Sequence, residues 1–403
     1  MLRLGITAVR LEPVVAPALV ISAVFLIAGD IYTAQPAGLT VHEWGTFTSV
    51  AGEDGSAIDW DALGCKDDLP RFVIDLGYRG FKWRQTGTVR METPVMYFYS
   101  SRELQAHVKV AFPQGLITEW YPQAEHEVYQ KRRVDGSARR LPANLNGIDT
   151  SLMSLTGTIE WRNIRIQPDS APAFPVESVP SRYYVARGTD AAPITVGGQH
   201  EKFLFYRGVG RFQVPLSARL SSGGKIVVEN RSHDPVPVVI LFENRGGRLG
   251  YRTAAAIEDS ATLDPPSLDG SLPQMQYDLE TALVAQGLFP KEAQAMLETW
   301  RDSWFEEGSR LIYIVPARLI DAILPLQVEP APAETVRVFV GRIELITPET
   351  ERSVEEAIAT SDRSAIDRYG RFLDPILKRI SSGNPSKENE IEQFRRSAQG
   401  CRQ

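Results

Sequence analysis

The stretch Val41-His-Glu-Trp-Gly-Thr-Phe-Thr48 begins the part of the chain in which strand-forming residues dominate. Valine, threonine and aromatic residues favour strands, because their side chains pack well on a pleated surface. Similar segments follow at 91–99, 107–112, 116–121 and 154–166. In a second block, at 183–186, 201–207, 212–216, 224–230 and 236–244, turn residues separate the segments about every ten positions. This spacing is typical of β-sandwiches and barrels and argues against alternating β-α-β units.

Turn residues also predict how some of these strands pair. Segments 107–112 and 116–121 flank Pro113-Gln114-Gly115, which predicts a hairpin. Segments 225–230 and 236–242 flank a short polar turn and predict a second hairpin, similar to those of immunoglobulin-like sandwiches. Within 91–99, Pro94 predicts an edge strand or a β-bulge, because proline cannot donate to a strand ladder.

The pattern changes after residue 255. Segments 276–286 and 290–307 have helical spacing, with Pro290 at the start of the second helix and Gly308 at its end. Strand patterns return at 311–315 and 336–345, and amphipathic helices are predicted over 349–380. The polar residues beyond 381 predict a tail without regular structure.

The sequence therefore predicts an α+β protein that is mainly β, with a β-sandwich-like body and a helical C-terminal subdomain. The predicted divisions are 1–38, a signal peptide or membrane anchor with linker; 39–255, the β-rich body; 256–310, a helical insert; 311–348, strands that return to the body; and 349–403, C-terminal helices and a polar tail.

The N-terminus predicts export. Arg3 and Arg10 precede an uncharged apolar run over 14–29, which Asp30 ends. This arrangement is typical of a secretory signal. Cleavage after Ala34 would place Tyr32 where a small residue is preferred, so an uncleaved anchor that contacts the membrane is the alternative. We expect the protein to be periplasmic or associated with the cell envelope.

Composition narrows the choice of partner. The formal net charge is −6 over 403 residues, which argues against nucleic acid as the main partner. The two cysteines, Cys65 and Cys401, are too few for a disulfide framework. They either form one disulfide in an oxidising compartment or remain two unrelated thiols.

Two of the five histidines are followed directly by a carboxylate, in His42-Glu43 and His200-Glu201. Imidazole and carboxylate groups bind divalent metals, so His42 and His200 are candidate metal ligands. However, neighbours on a strand point to opposite faces, and one ion can bind His42 together with Glu43 only if the strand is bulged. Purely structural histidines are the alternative.

Carboxylates beside aromatic residues indicate a second chemistry. Glycosidases use two acids flanked by aromatic platforms, and Glu43 lies beside Trp44, while Glu306 lies beside Trp304 and Phe305. Glu306 also lies at a helix C-terminus, where a carboxylate is unfavourable unless an arginine such as Arg310 compensates it. The sequence contains no serine-nucleophile elbow and no phosphate-loop or dinucleotide fingerprint.

Several strings resemble a family of exported bacterial proteins without an assigned activity. They are Val41-His-Glu-Trp-Gly-Thr-Phe-Thr-Ser-Val50, Met91-Glu-Thr-Pro-Val95, Glu201-Lys-Phe-Leu-Phe-Tyr-Arg-Gly208, Trp304-Phe-Glu-Glu-Gly308 and Val336-Arg-Val-Phe-Val-Gly-Arg-Ile-Glu344. The resemblance, which spans about 41–347, implies export and a single integrated body. It singles out His42, Glu43, Glu92, Glu201, Lys202, Arg207 and Glu306.

These observations give three hypotheses for function. The first is an envelope protein that binds a glycan or another protein, with Trp44, Lys202 and Arg207 as candidate ligand-binding residues. The second is a hydrolase that uses Glu43, Glu92, Glu201 or Glu306, or a divalent metal held by histidine and glutamate. The third is a membrane-anchored assembly subunit. We expect Glu43, Glu201 and Glu306 to meet where the helices join the β body.

Overall fold

A computed structural model describes residues 38–61, 69–76, 86–131, 138–141 and 154–399. The predicted signal segment up to residue 37 lies outside these ranges, and so do Cys65 and Cys401. None of the helices within the ranges is long and apolar enough to cross a membrane.

Strands form most of the regular structure. Numbered in chain order, they are β1 (Thr40–Val50), β2 (Trp60–Asp61), β3 (Ile74–Asp75), β4 (Thr86–Gly87), β5 (Val89–Tyr99), β6 (Leu104–Phe112), β7 (Gly115–Tyr121), β8 (Glu125–Lys131), β9 (Ala138–Arg140), β10 (Ser154–Ile166), β11 (Ile194–Val196), β12 (Gln199–Glu201), β13 (Leu204–Gly210), β14 (Leu216–Leu220), β15 (Ile226–Asn230), β16 (Val239–Arg245), β17 (Arg248–Ala254), β18 (Ser260–Leu263), β19 (Gly308–Ile314), β20 (Leu326–Glu329) and β21 (Glu334–Leu345).

The helices are concentrated in the C-terminal third. They are α1 (Leu272–Ala285), α2 (Pro290–Trp304), α3 (Ala317–Ile323), α4 (Pro348–Thr360), α5 (Ser364–Tyr369), α6 (Leu373–Gly383) and α7 (Glu388–Gln399), with short 3₁₀ turns at Arg182–Arg187, Gly370–Phe372 and Pro385–Lys387. Pro290 is the first residue of α2, as the sequence predicts, because its missing N–H has no partner there in any case.

One large sheet runs in the order β12-β11-β10-β7-β13-β5-β1-β21-β19-β16-β17. At its centre β1 and β21 are parallel, with Thr40 opposite Glu334 and Val50 opposite Glu344. Strand β21, which comes late in the chain after α1, α2 and α3, therefore lies beside β1, the first strand of the body. A smaller sheet has the order β14-β15-β18.

Three apolar cores hold these elements together. The first includes Phe47 and Phe339 of the large sheet and Val228 of the small sheet, so strands of both sheets share one core in a sandwich-like arrangement. The second joins the other face of the large sheet to α1 and α2. The third joins Val50 to the C-terminal helices α4–α7. The fold is thus α+β, with a β-rich body and C-terminal helices.

Both predicted hairpins are wrong. β6 pairs with β10 and β20, whereas β7 pairs mainly with β13. The 13-residue strand β10 and the later strand β20 pair with β6 instead of β7. In the second case Pro235 and Pro237 leave only an isolated bridge at Val236, and β15 and β16 enter different sheets.

The predicted unstructured tail is also wrong over most of its length. Helix α7 follows residue 387, and its Ile391 and Phe394 are buried in the third core. The polar composition of the segment did not predict this helix, because only two apolar residues, three positions apart, pack against the core.

A β-bulge interrupts β5, as Pro94 predicts. Thr46 of β1 lies opposite Glu92 and Trp44 lies opposite Val95, so Thr93 and Pro94 together face one residue. Thr93 has a φ of 48°, which is rare for a β-branched residue. Met91 before the bulge and Met96 beyond it both belong to the first core. The bulge therefore turns Arg90 and Glu92 towards the face that the helices cover.

Candidate functional site

Glu92 occupies a buried position between the sheet and the C-terminal helices. Its carboxylate accepts a hydrogen bond from Thr48 Oγ1 at 2.9 Å and lies 3.1 Å from Arg90 Nε. It also forms an ion pair with Arg371. Burial acts to raise the pKa of Glu92, but Arg371, Arg90 and Arg342 together lower that pKa below its ordinary value. The carboxylate is therefore held in its ionised form.

Further charged groups extend from this point along the same face. Ser303 Oγ accepts hydrogen bonds from Arg371 at 2.8 Å and from Arg342 at 3.0 Å. Arg342 also binds Glu306 at 2.7 Å and Glu344 at 3.0 Å. We name this set the arginine–glutamate network; its members are Arg90, Glu92, Ser303, Glu306, Arg310, Arg342, Glu344 and Arg371.

Arg310 closes the network at the end of helix α2. It donates to the carbonyl oxygens of Trp304 at 2.9 Å, of Glu306 at 2.7 Å and of Glu307 at 2.7 Å. A cation at a helix C-terminus satisfies carbonyl groups that have no partner within the helix. Arg310 thus donates to the backbone carbonyl oxygen of Glu306, while Arg342 binds the Glu306 side-chain carboxylate.

Glu43 lies on the opposite face of β1 and belongs to a separate cluster. Arg337 Nε donates to it at 2.6 Å and Tyr206 Oη donates at 2.5 Å. Burial and the nearby Glu43 carboxylate raise the pKa of Tyr206 well above its ordinary value, so the phenol remains a donor. The parallel pairing of β1 with β21 places Glu43 opposite Arg337, which explains the contact.

Glu201 lies at the edge of the large sheet. Arg187 binds both of its carboxylate oxygens, at 2.9 and 2.7 Å, and Tyr183 Oη donates at 3.1 Å. The ammonium group of the neighbouring Lys202 donates a hydrogen bond to the carbonyl oxygen of Thr189 at 2.6 Å. Burial lowers the pKa of Lys202, and Lys291 lowers it further, against the opposing effect of Asp190.

His42 and His200, the candidate metal ligands, lie in different surroundings. His42 is 1% exposed, and its Nδ1 lies 2.8 Å from Glu292, which also accepts from Tyr99 Oη at 2.7 Å. His200 Nδ1 lies 2.9 Å from Thr195 Oγ1. Within the described ranges, no group of three or more histidine, cysteine or acidic residues is arranged to hold a metal ion.

The two other predicted ligand-binding residues are buried. Arg207 forms an ion pair with Glu119 at 2.7 Å. Trp44 lies in the second core against Tyr97, with ring centroids 6.4 Å apart. Neither side chain presents its surface to solvent.

The structure brings Glu92 and Glu306 into one network but leaves Glu43 and Glu201 elsewhere. Glu43, Glu201 and Glu306 bind three different arginines, Arg337, Arg187 and Arg342. They do not meet where the helices join the β body, as the sequence had led us to expect. Glu43 and Glu306 are kept apart because alternate residues of β21 point to opposite sides of the sheet, and their partners Arg337 and Arg342 therefore lie on different faces.

The sequence pointed to these charged residues but did not reveal which side chains they bind. Glu292 lies 250 positions from His42, so no local pattern predicts their contact. Arg337 and Arg342 gave a clearer signal: each interrupts the apolar strand Val336-Arg-Val-Phe-Val-Gly-Arg-Ile. An arginine inside a buried strand requires a buried partner.

A cleft of about 220 Å³ lies at the carboxyl ends of the two parallel strands, β1 and β21. Residues 51–53 follow β1 on one side, and Leu345 and Ile346 end β21. Residues 218–220 of β14 and Arg379 of α6 form the other walls. None of the predicted catalytic carboxylates or metal ligands lines it.

The arrangement offers two kinds of surface. The candidate carboxylates are bound to arginines, whereas the cleft is open to solvent and includes Arg219 and Arg379 among its lining residues. No family model matches the chain, and no curated protein matches it.

Proposed function

We propose that this protein is exported to the cell envelope and binds an envelope glycan or protein there without transforming it. One observation carries the proposal: Glu43, Glu92, Glu201 and Glu306 each form an ion pair with an arginine. A general acid needs a carboxyl group that stays protonated near neutral pH. At Glu92 the guanidinium groups of Arg371, Arg90 and Arg342 favour the opposite state, because they lower the pKa of that carboxyl group in spite of its burial.

The N-terminal sequence supports the export part of the proposal. A basic start followed by an uncharged apolar run is typical of a secretory signal, and Arg3 and Arg10 provide the basic start. The resemblance of the Val41–Val50 string to exported bacterial proteins points the same way.

A hydrolase is the second candidate, and one contact favours it. His42 Nδ1 is held by Glu292, while the buried Nε2 has no hydrogen-bond partner among the described residues. A carboxylate that orients an imidazole in this way is a component of many general-base sites. The ring is 1% exposed, which keeps a substrate away from it, so the binding proposal ranks first.

Co-sedimentation tests the proposal. The chain from Gly38 onward, purified without a histidine tag or chelator, is mixed with isolated cell-envelope material and centrifuged. We expect the protein in the pellet and no soluble fragments by mass spectrometry. Heat-unfolded protein is the control for non-specific sedimentation.

Two results would overturn the proposal. Protein that stays in the supernatant would contradict envelope binding. Release of soluble fragments by the native chain, and its loss in His42→Gln, would establish the hydrolase instead. Glu43→Gln and Glu201→Gln serve as further variants for the carboxylate mechanism.

A further inference from the structure

Two exposed segments lie beside the first residues of the body that the structure describes. The Ala333 N–H donates to the carbonyl oxygen of Leu39 at 2.8 Å, so the segment before β21 lies against the start of β1. Gly287, in the turn between α1 and α2, lies against Val336 of β21, which is paired with His42 of β1. Both segments therefore lie at the end of the sheet where β1 begins.

These two segments, 284–287 and 330–333, contain no charged residue. Lys291, which follows the first segment, binds Asp190 at 2.6 Å, and Glu329 and Glu334 flank the second. We name the exposed apolar residues of the two segments the uncharged patch; they are Val284, Ala285, Gly287, Pro330, Ala331 and Ala333.

The solvent-facing side of α1 continues the patch. Tyr277 is 65% exposed, Thr281 is exposed and Val284 is 36% exposed, at a spacing that places all three on one side of the helix. The acids of α1, Asp278 and Glu280, are each bound to a neighbouring side chain. Tyrosine is typical of surfaces at a membrane interface, because its ring is apolar while its hydroxyl stays hydrated.

The opposite end of β1 has a different surface. The 11 residues of β1 rise by about 33 Å. Beyond its far end Glu53 is 82% exposed, and helix α4 begins there after β21. Five of the 13 residues of α4 are charged, namely Glu349, Glu351, Arg352, Glu355 and Glu356. Of the two ends, the one with the uncharged patch is therefore better suited to contact lipid.

The sequence before the body limits how far away a membrane can lie. The apolar run over 14–29 ends at Asp30, and residues 31–37 connect it to Gly38. Because an extended chain spans at most about 3.5 Å per residue, Gly38 must lie within about 30 Å of a bilayer that holds the run. Retention of the run is favoured because cleavage after Ala34 would place Tyr32 where a small residue is preferred.

We propose that the apolar run is retained as a membrane anchor and that the uncharged patch rests on the surface of the lipid bilayer that holds it. The inference rests on export, which is one part of the proposed function, and names the surface of the body that faces the membrane. In this orientation the end with Glu53 and α4 faces away from the membrane.

Fluorescence quenching by lipids tests the inference on the full chain. Cys65→Ser and Cys401→Ser remove the native thiols, and one new cysteine, from Ala285→Cys, Ala331→Cys or Glu53→Cys, is labelled with nitrobenzoxadiazole. Each protein is reconstituted in phosphatidylcholine vesicles with and without a lipid that carries a nitroxide on its headgroup. Melting temperatures confirm that the labelled proteins are folded.

We expect the nitroxide lipid to reduce emission about twofold or more in the Ala285→Cys and Ala331→Cys proteins, because groups at the headgroup boundary contact the quencher. Glu53→Cys is the matched control. Its label also lies on an exposed residue but about 30 Å further along the sheet, so its emission should be nearly unchanged.

Three outcomes would overturn the inference. Quenching at the patch that does not exceed quenching in Glu53→Cys would show that the patch does not face lipid. Blue-shifted emission at the patch without quenching would show that a second copy or another protein covers it. An exported, soluble chain that lacks the residues up to Ala34 by mass spectrometry would show that the anchor is removed.

Each of these outcomes leaves export intact, so the orientation can fail while the proposed function stands. A full-length chain that stays in the cytoplasm would contradict export, and the inference would fail with it.

Discussion

Glu92 and Arg371 lie 279 positions apart in the chain and form an ion pair between the centre of the large sheet and the turn that precedes α6. Glu92 is almost fully buried, and the bulge at Thr93 and Pro94 directs it towards the helices. The string Met91-Glu-Thr-Pro-Val95 therefore contains both the bulge and the carboxylate of Glu92, which the bulge directs towards the helices.

Deletion of Pro94 is expected to prevent folding. Without the extra residue, Arg90 and Glu92 would point into the first core, away from Thr48 and Arg371, which bind the Glu92 carboxylate. The cost is at least about 5 kcal/mol, which is comparable with the net stability of many domains. Circular dichroism and soluble yield measure the outcome.

Deletion of Gly223 is the control for the loss of one residue. Gly223 lies in a turn with open space around it, and its deletion should leave a folded protein. A Pro94 deletion as stable as the Gly223 deletion would show that the bulge does not set the strand faces.

Glu43→Gln is expected to destabilise the protein by up to about 3–5 kcal/mol, because it removes the buried carboxylate that pairs with Arg337 and leaves only the ion pair with the exposed Asp321. Urea unfolding of the chain from Gly38 onward measures the change. Glu298→Gln removes half of an exposed pair with Arg182 and should cost less than about 1 kcal/mol. Equal costs for the two variants would contradict the role of burial.

His126 should make the protein less stable in acid. The imidazole stacks on Trp120, with ring centroids 4.6 Å apart, and burial lowers the pKa of His126 to about 4. An unfolded chain has a histidine pKa of about 6.5, so below that pH the unfolded state binds a proton that the folded state does not. This contribution to stability is present above pH 6.5 and is lost as the pH falls towards 4, by up to about 3 kcal/mol.

His126→Gln tests that expectation. The variant lacks the titrating ring, so its free energy of unfolding should fall less steeply than that of the parent chain between about pH 6.5 and 4. Urea unfolding at several pH values measures both slopes. Parallel slopes would mean that His126 titrates alike in the folded and unfolded states.

Residues 1–38 are expected to direct export. Fused to alkaline phosphatase, which is active only outside the cytoplasm, they should give enzyme activity in bacterial cells. The double change Arg3→Glu and Arg10→Glu removes the positive start and should reduce that activity several-fold. A stable but inactive unaltered fusion would contradict export.

Most strands could be predicted from local sequence, and so could the bulge at Pro94. The prediction of a strand over 183–186 is wrong, because these residues form a 3₁₀ turn, and strands β8 and β17 were not predicted. Strand pairing could not, because turn residues at 113–115 favour a hairpin but do not show that β10 pairs better with β6. Helix α7 was missed since Ile391 and Phe394 give a weak apolar pattern in a polar segment.

The candidate site was predictable only in part. Glu92 and Glu306 were identified from their motif strings, and the structure places both in the arginine–glutamate network. Arg371, the partner of Glu92, lies in a region with no matching motif, and only the folded chain brings the two together. The cleft could not be predicted, because its walls come from β1, β14, β21 and α6.

A double-mutant cycle on Glu92 and Arg371 tests most directly the claim that the motif carboxylates hold the body together instead of catalysing a reaction. Unfolding free energies are measured for the parent chain, Glu92→Gln, Arg371→Met and the double variant. A buried, hydrogen-bonded pair should show a coupling energy of about 2–3 kcal/mol. A coupling below about 0.5 kcal/mol, typical of an exposed pair, would contradict the claim and return Glu92 to the candidates for catalysis.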